Sequence, residues 1–416
     1  MASTTVRALS LPVRMNAQLL DGFNKPYVLR SVHVPVPSDP HDLLVRVDAA
    51  SYCHTDAVLA AGKMPPYPRS FPHVGCHEFA GTVVALPPQA ANTASPAWRV
   101  GDRVGVPGRT FHPCGTCFEC QAAPTPQNPD ADPPGYSVYC PHGVNNGISG
   151  PGGFREYALV DSRQVAPIPA SMSSVDTAVL MCAGVTVYAA LKRCRLAAGQ
   201  RVAIMGCGGG LGHLGLQFAI KMGLRVVGVD AADEPLQLAR DVVADVVADV
   251  VGAGASNANA NDAAMIVDAR TQASADVVAQ LGQADGKTDT ADAGVDAVVL
   301  LPESQQAFDY GVGLLRNHGL CVVVSFPPDG FRISARDVVF RDISIVGSLV
   351  GSNKTLREML DFAAQHEVQA HIKTYPLSRL NDLVAEYEQG GGGKLVVDMS
   401  LNDPDGTDEA SEEGAC

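Results

Sequence analysis

The spacing of four cysteines constrains this chain more than any other feature. Three of them follow one another at steps of three residues, and nineteen residues separate the third from the fourth: Cys114, Cys117, Cys120 and Cys140. Thiolates so close together on a tight loop can cover one face of a tetrahedral ion, and the fourth then completes the shell. The spacing predicts a closed, redox-silent structural zinc site. An iron–sulfur cluster is the alternative, because it uses similar triplets.

A second, dispersed set of metal-ligand residues consists of Cys53, His77 and Cys182. Taken singly, each is more typical of a packed thiol or a hydrogen-bonded core histidine. Two of them stand beside predicted strand ends, however, and Cys182 stands at the start of a predicted helix. Two thiolates and one imidazole would leave the fourth position of a zinc ion open, which is typical of catalytic zinc.

Composition excludes several classes of protein. The chain has 416 residues, of which 46% are hydrophobic and 18% charged, so it can bury a large core and is not intrinsically disordered. Its formal net charge of −14 argues against binding to nucleic acid or an anionic membrane. The longest apolar run, 178–191, is too short to span a bilayer and predicts a buried helix. Eleven cysteines in so long a chain favour thiols and metal ligands over disulfides.

The pattern of short elements changes along the chain. Residues 42–106 contain short β-branched runs separated by Pro and Gly, with strands predicted at 43–47, 81–85 and 102–106. These predict a β-rich, barrel-like domain. From about residue 181, helical and strand segments alternate, which predicts a doubly wound parallel sheet. Its strands are predicted at 201–205, 224–230, 296–301, 320–326 and 344–350.

A glycine-rich turn lies between the first two of these parallel strands and predicts a dinucleotide site. A strict G-x-G-x-x-G occurs at Gly210, Gly212 and Gly215, but it lies about a turn too deep in the helix. The predicted cofactor contacts are therefore Gly206, Gly209, Gly210, Leu211 and Gly212.

An acid that selects the cofactor stands at the end of the next strand. Asp230 follows Gly212 by 18 residues and is placed to bind both hydroxyls of the adenosine ribose. Its carboxylate would repel a 2′-phosphate, and 231–238 contain no base to attract one. The sequence therefore favours NAD over NADP.

Taken together, these motifs resemble the zinc-dependent medium-chain alcohol dehydrogenases, in particular the yeast and fungal type. The matching segments run in family order from about residue 15 to 400: 53–56, 77–78, the cysteine triplet with 140–142, 182–188, the glycine loop, 344–348 and 396–398. The resemblance implies reversible hydride transfer between a primary alcohol or aldehyde and NAD, with the alcohol bound to zinc as an alkoxide. Another reductase or polyol dehydrogenase of the superfamily, and a catalytically silent homologue, are the alternatives.

The resemblance also implies an α/β architecture in three parts. A β-rich GroES-like catalytic domain would span 1–183 with a structural zinc lobe at 108–142, a Rossmann domain 184–349, and a return to the catalytic domain 350–400. Residues 401–416 contain six acids and no base, which predicts a disordered acidic tail. The strand at 344–350 predicts pairing across a two-fold axis, hence a homodimer or homotetramer. We expect a cytoplasmic protein, with the mitochondrial matrix as the minor alternative.

By the same resemblance, Cys53, His77 and Cys182 would hold the catalytic zinc, and the chain would carry two zinc ions. The supporting residues have distinct roles. Asp56 would accept the second ring N–H of His77, Glu78 would lie behind the metal, Thr55 would bind the substrate oxygen and pass its proton outward, and His54 would lie near the pyrophosphate. Lys394 replaces the arginine with which relatives usually reach that pyrophosphate.

The chain departs from the family in several places. Val58 replaces a histidine that ends the proton relay in many relatives, and Met64 replaces a tryptophan of the yeast-type substrate pocket. Phe326 is a candidate for the same pocket, with a core position as the equal alternative. Residues 122–135 lengthen the loop between Cys120 and Cys140 and are interpreted as a surface loop. Residues 241–264 are interpreted as a helix followed by a loop.

Overall fold

The chain folds around two principal sheets that carry the predicted ligand residues at their edges. A computed structural model describes residues 11–87, 98–126, 129–252, 263–289, 291–390 and 392–402. The strands are β1 (Arg14–Leu20), β2 (Tyr27–His33), β3 (Asp42–Ser51), β4 (Phe79–Ala85), β5 (Arg103–Val106), β6 (Thr110–Phe111), β7 (Val144–Asn145), β8 (Tyr157–Asp161), β9 (Ala166–Pro167), β10 (Arg201–Met205), β11 (Arg225–Asp230), β12 (Ala264–Asp268), β13 (Val295–Leu300), β14 (Leu315–Val323), β15 (Ser344–Gly347), β16 (Ile372–Tyr375) and β17 (Lys394–Asp398).

Helices connect and cover these strands. They are α1 (His54–Ala60), α2 (Phe118–Gln121), α3 (Ser174–Val179), α4 (Val185–Cys194), α5 (Gly212–Lys221), α6 (Asp233–Gly252), α7 (Ser274–Ala284), α8 (Gln305–Leu314), α9 (Ala335–Arg341), α10 (Asn353–Gln365) and α11 (Leu380–Gln389). A π-helical turn, Leu180–Gly184, joins α3 to α4, and a 3₁₀ turn, Leu377–Arg379, precedes α11.

The first sheet forms the β-rich domain that the sequence predicts. Its order is β16-β17-β3-β4-β5-β9, and β8 also pairs with β3. Strand β17 is antiparallel to β3, so the chain returns to this sheet near its C-terminus. The helix α10, within the predicted return segment, instead packs its buried face into the core of the second domain. The chain rejoins the first sheet at Ile372. The predicted domain boundaries stay predictions.

The second sheet has six parallel strands in the order β12-β11-β10-β13-β14-β15. The order reverses between β10 and β13, and in a doubly wound sheet such a switch point is where a nucleotide binds. The five predicted parallel strands are confirmed, although β14 begins five residues earlier than predicted and both β14 and β15 end three residues earlier. The sixth strand, β12, was not predicted. The α/β class, with a Rossmann-type domain beside a GroES-like domain, is confirmed as well.

The apolar run at 178–191 belongs to a longer helix than predicted. Residues 174–194 form one continuous helical segment, because the π-helical turn continues α3 into α4. By length and composition alone this segment could cross a membrane, but 72% of its most apolar stretch is buried inside the fold. It is the central core helix between the two sheets.

The described residues of the insertion 122–135 lie largely at the surface, as the sequence predicts, but two acids anchor them to the rest of the fold. Asp132 forms an ion pair with the fully buried guanidinium of Arg109 and accepts the backbone N–H of Asn353 at 2.7 Å. Asp130 pairs with Lys192 at 2.9 Å. The described part of the insertion is therefore attached by Asp132 to Arg109 and α10, and by Asp130 to α4.

Two other interpreted segments lie partly outside the described residues. The repeat at 241–252 is helical and forms the second half of α6, as expected. Residues 253–262 and the acidic residues 403–416 are outside the described part of the chain.

Candidate active site

The first predicted catalytic ligand, Cys53, lies at the point where β3 ends and α1 begins. Cys53 is the N-cap of α1, and Asp56 at the third helical position accepts the Cys53 backbone N–H at 3.0 Å. This is one half of a capping box, which explains why the helix begins at His54. The other carboxylate oxygen of Asp56 accepts the N–H of Cys76 at 2.9 Å. One buried carboxylate therefore fixes the backbone of both ligand segments.

The π-helical turn presents the third ligand, Cys182. Single π-helical turns inside α-helices are frequent at functional sites. The sulfurs of Cys53 and Cys182 and a ring nitrogen of His77 all lie within 4.8 Å of one another. The fold thus brings together three ligand residues that are spread over 129 positions of the chain, from Cys53 to Cys182. Two thiols and one imidazole are donors that zinc prefers, so the set fits the ion.

Electrostatics favour a charged donor in this cluster. The hydrogen bond from Cys182, and then the charge of His77, hold the pKa of Cys53 well below its ordinary value. The same hydrogen bond raises the pKa of Cys182. The Asp56 carboxylate lies 3.7 Å from Nδ1 of His77, too far for the predicted hydrogen bond, although its charge still acts on the ring.

The Lys394 side chain runs beside Gly210 of the glycine loop, and its role at the cofactor stays a prediction. Its ammonium is buried, where it pairs with the carboxylate of Glu78 and donates to the carbonyl of Tyr52 at 2.8 Å. Glu78 also accepts from the Ser51 hydroxyl at 2.8 Å. Burial raises the pKa of Glu78 to about 7. A buried carboxylate without a counter-charge is costly, and the Lys394 ammonium turns inward to supply that counter-charge. Glu78 itself lies beside the ligand cluster, as expected.

The four closely spaced cysteines also converge. Their sulfurs lie within 4.8 Å of one another. Backbone N–H groups point at these sulfurs, including that of Cys117 to Cys114 at 3.4 Å and that of Cys120 to Cys117 at 3.5 Å. Donation from the N–H and hydroxyl of Thr116 lowers the pKa of Cys114 to about 6. Four converging sulfurs in a ring of amide donors fit a closed tetrahedral zinc site.

The glycine loop lies at the switch point of the parallel sheet. Gly206 has φ +74°, and a Cβ on Gly212 would lie 2.0 Å from the carbonyl of Gly206. Gly208, which the sequence interpretation passed over, is equally constrained, since its Cβ would lie 1.9 Å from the carbonyl of Pro235. The Gly208 N–H donates to the Asp230 carboxylate at 3.0 Å. Asp230 therefore lies directly beside the loop.

His213 is a supporting residue that sequence reasoning missed. Its Nδ1 bonds the carbonyl of Gly209 at 2.9 Å, and its Nε2 accepts the N–H of His371 at 3.2 Å. Burial lowers the pKa of His213 to about 4, so the ring is neutral and can accept that N–H. The histidine thus joins the glycine loop to the segment that leads back to the first sheet.

The remaining predicted residues lie around the ligand cluster or at the surface. Thr55 has its hydroxyl 3.9 Å from the Cys53 sulfur. His54 is exposed, bonds the Tyr387 hydroxyl at 2.9 Å and lies 3.7 Å from the Glu303 carboxylate. Met64 is half-buried just after α1. Phe326 is 57% exposed, so it is not the core residue that was the alternative interpretation.

Known proteins match this arrangement along nearly its whole length. Residues 39–170 match the model of the alcohol dehydrogenase GroES-like domain, and residues 210–365 match that of the zinc-binding dehydrogenase domain. An alcohol dehydrogenase of Geobacillus stearothermophilus is 34% identical over 384 residues, which cover 92% of this chain and 99% of the relative. The chain belongs to the zinc-dependent medium-chain alcohol dehydrogenases.

Further relatives of this family come from fungi and archaea. Alcohol dehydrogenase 1 of Emericella nidulans is 32% identical over 394 residues, covering 94% of this chain and 99% of the relative. The crystal structure of an alcohol dehydrogenase from the archaeon Aeropyrum pernix is 27% identical, with a TM-score of 0.71 and coverage of 92% and 99%. The predicted family, with zinc-dependent alcohol dehydrogenase activity and a nicotinamide cofactor, is confirmed.

Proposed function

We propose that this alcohol dehydrogenase transfers hydride reversibly between primary alcohols or aldehydes and NAD, in preference to NADP. The observation that carries the choice of cofactor is the position of Asp230. Its two carboxylate oxygens accept the N–H groups of Gly208 and Ala231, at 3.0 and 2.8 Å. These two hydrogen bonds fix the carboxylate at the strand end where a bound adenosine ribose would lie.

Arg270 is a base near the ribose end of the site, but carboxylates already pair with its guanidinium. Arg270 pairs with Asp268 at 2.8 Å and with Asp233 at 2.5 Å. Two carboxylates thus surround this guanidinium, and it brings no net positive charge to the ribose end of the site. This supports NAD as the cofactor.

The residues around the cluster have complementary tasks in the proposed reaction. Zinc, when bound, supplies Lewis acidity toward the substrate oxygen, and it would be held by Cys53, His77 and Cys182. Asp56 holds the two ligand segments in place through backbone N–H groups. The Thr55 hydroxyl, next to the Cys53 sulfur, is placed to bond the alcohol oxygen and to accept its proton.

Replacing Asp230 by serine is expected to shift cofactor preference toward NADP by at least about tenfold. The change removes a full negative charge close to the 2′-position, and such a repulsion is worth more than about 1.4 kcal/mol at these distances. The measurement is kcat/KM for NAD and NADP. Asp241→Ser, on the exposed side of α6, is the control and should leave the ratio unchanged. An unchanged ratio in Asp230→Ser would count against the role of Asp230.

Val58 gives a second prediction, about proton release. It lies in α1, half-buried, and a valine cannot carry a proton. We expect Val58→His to change the rate most around the ordinary histidine pKa of about 6.5, by less than about 100-fold. Steady-state rates across pH test this, with Val58→Ala as the control for lost side-chain volume. An unchanged pH profile in Val58→His would refute the idea.

The substrate pocket is proposed to be wider than that of the yeast type, because Met64 is narrower and more adaptable than tryptophan. The test is kcat/KM for ethanol, butanol and benzyl alcohol, with and without a zinc chelator. We expect the longer and bulkier alcohols to be used at least as well as ethanol, and the chelator to abolish turnover. A steep preference for ethanol would contradict the wider pocket. No turnover with any alcohol or aldehyde would instead support the silent homologue.

We also propose that the protein is at least a dimer. Strand β15 is the last strand of the parallel sheet and pairs only with β14 among the described strands. A second copy could add its own β15 along this free edge, and analytical ultracentrifugation would show a mass of two chains or more.

A further inference from the structure

A third group of metal-ligand side chains lies away from both cysteine clusters. It consists of Asp39 and Asp42, in the turn where β3 begins, and His112, which follows β6. Their ligand atoms all lie within 4.8 Å of one another. His112 precedes the structural cysteine cluster by two residues, whereas β3 leads to Cys53. The group therefore joins the structural lobe to the strand that leads to a catalytic ligand.

The His112 ring is held in a fixed direction. Its backbone has φ +51°, a conformation that few non-glycine residues adopt, and its N–H donates to the Asp161 carboxylate at 3.0 Å. The ring stacks on that of Phe111, with 3.8 Å between centroids. These contacts aim Nε2 at the two acids.

Two of the three facing donor atoms, in Asp42 and His112, have no hydrogen-bond partner, whereas Oδ1 of Asp39 accepts the backbone N–H of His41 at 2.9 Å. Nε2 of His112 lies 2.8 Å from Oδ1 of Asp42 and 3.8 Å from Oδ1 of Asp39. Asp42 is only 1% exposed, and its other oxygen, Oδ2, accepts the N–H groups of Ser38 and Asp39 at 2.8 and 2.9 Å. Oδ1 of Asp42 and Nε2 of His112 are both buried without a hydrogen bond, despite their close approach. Buried polar atoms normally have a partner, so this pair needs one.

The balance of charge indicates what that partner is. Two carboxylates face a single imidazole, and neither acid forms an ion pair with Lys or Arg in the described part of the chain. Arg163 lies close enough to interact with the charge of Asp39, but it donates its hydrogen bonds to Asp161. A single imidazole can balance at most one of the two carboxylates, whereas a divalent cation balances both.

We propose that Asp39, Asp42 and His112 bind a third divalent metal ion, separate from the two zinc sites of the family. One imidazole and two carboxylates suit Mn²⁺ and related first-row ions. Thiolates would select zinc over these ions, but this group contains no thiolate. The ion stabilises the start of β3 against the base of the structural lobe. His112 and Asp39 are about one-third and two-fifths exposed, which leaves the ion a path from solvent.

The experiment titrates Mn²⁺ into the zinc-loaded enzyme and follows free Mn²⁺ by electron paramagnetic resonance. A weak chelator first removes ions from oxygen and nitrogen sites, and elemental analysis verifies that two zinc ions per chain remain. Asp39→Asn and His112→Gln each remove one ligand from partly exposed positions. His318→Gln is the matched control, because His318 forms an ordinary exposed hydrogen bond with Asp342 at 2.9 Å. The thermal midpoint of each protein is measured with and without Mn²⁺.

We expect one Mn²⁺ per chain in the wild type and in His318→Gln, with affinity lower by about tenfold or more in the two ligand variants. Mn²⁺ should raise the thermal midpoint of the wild type and leave that of Asp39→Asn unchanged. If the His112→Gln substitution disturbs the structural lobe, the zinc content of that variant falls. In that case the Mn²⁺ affinity of the Asp39→Asn variant alone tests the proposal. A wild type that binds no Mn²⁺, or an Asp39→Asn variant that binds it as tightly, would overturn the proposal.

Discussion

Replacing Cys182 by serine is expected to lower kcat/KM for alcohol oxidation by at least about a thousandfold. The Cys182 sulfur is one of only three protein donors in the catalytic cluster, and the π-helical turn points it there. Metal-ion stabilisation of developing charge is worth several kcal/mol, and about 4 kcal/mol corresponds to a thousandfold in rate. A serine hydroxyl does not replace a thiolate as a zinc ligand. Steady-state kinetics and elemental analysis together measure the effect.

The expected zinc content falls from two ions per chain to one, since the structural cluster keeps all four sulfurs. Cys194→Ser is the matched control. That thiol is also buried and on the same long helical segment, but its sulfur only donates to the carbonyl of Ala190 at 3.3 Å. The control should keep both zinc ions and its activity. A Cys182→Ser protein with one zinc ion and wild-type turnover would show that Cys182 is not a catalytic ligand.

Replacing Asp132 by alanine is expected to destabilise the fold by about 3–5 kcal/mol. The change leaves the Arg109 guanidinium buried without its carboxylate, and breaking a buried ion pair from one side costs about that much. It also removes the acceptor for the Asn353 N–H at the start of α10. Urea unfolding followed by fluorescence and circular dichroism measures the free energy.

The Asp130→Ala variant tests whether the loss of stability comes from removing any acid of the insertion or only from removing one whose partner is buried. Asp130 lies two residues away in the same insertion, but its partners Lys192 and Lys354 are partly or largely exposed. Such pairs contribute less than about 1 kcal/mol, so this variant should unfold close to the wild type. Equal losses in the two variants would contradict the role assigned to the Arg109–Asp132 pair.

Much of the site could be predicted from the sequence because its chemistry depends on residue type and short spacing. Three cysteines at steps of three have few other uses, and a glycine loop between a strand and a helix is equally restrictive. Cys53 and Asp56 are linked even more locally, through the first turn of α1. In each case the contacts join residues close in the chain, so the pattern carries the geometry.

Other features depend on contacts between distant segments, and no local pattern reports them. Lys394 matches the family position for a pyrophosphate ligand, yet the buried charge of Glu78, 316 residues earlier, draws its ammonium inward. Gly208 has no freedom to change because the carbonyl of Pro235 lies against it. These outcomes follow from packing and from the low dielectric of the interior.

The sequence by itself determined the family and the strand–glycine–helix unit of the cofactor site, and it predicted the four-cysteine set, because these are encoded by spacing over short stretches; the dispersed set was predicted only through the resemblance to the family. Tertiary structure alone decided that the Pro-rich insertion is attached through Asp132 to Arg109 and α10, and that Asp39 and Asp42 face His112. The physical reason is the same for both: a buried charge must find its partner wherever the fold brings one, and that partner can lie anywhere in the chain.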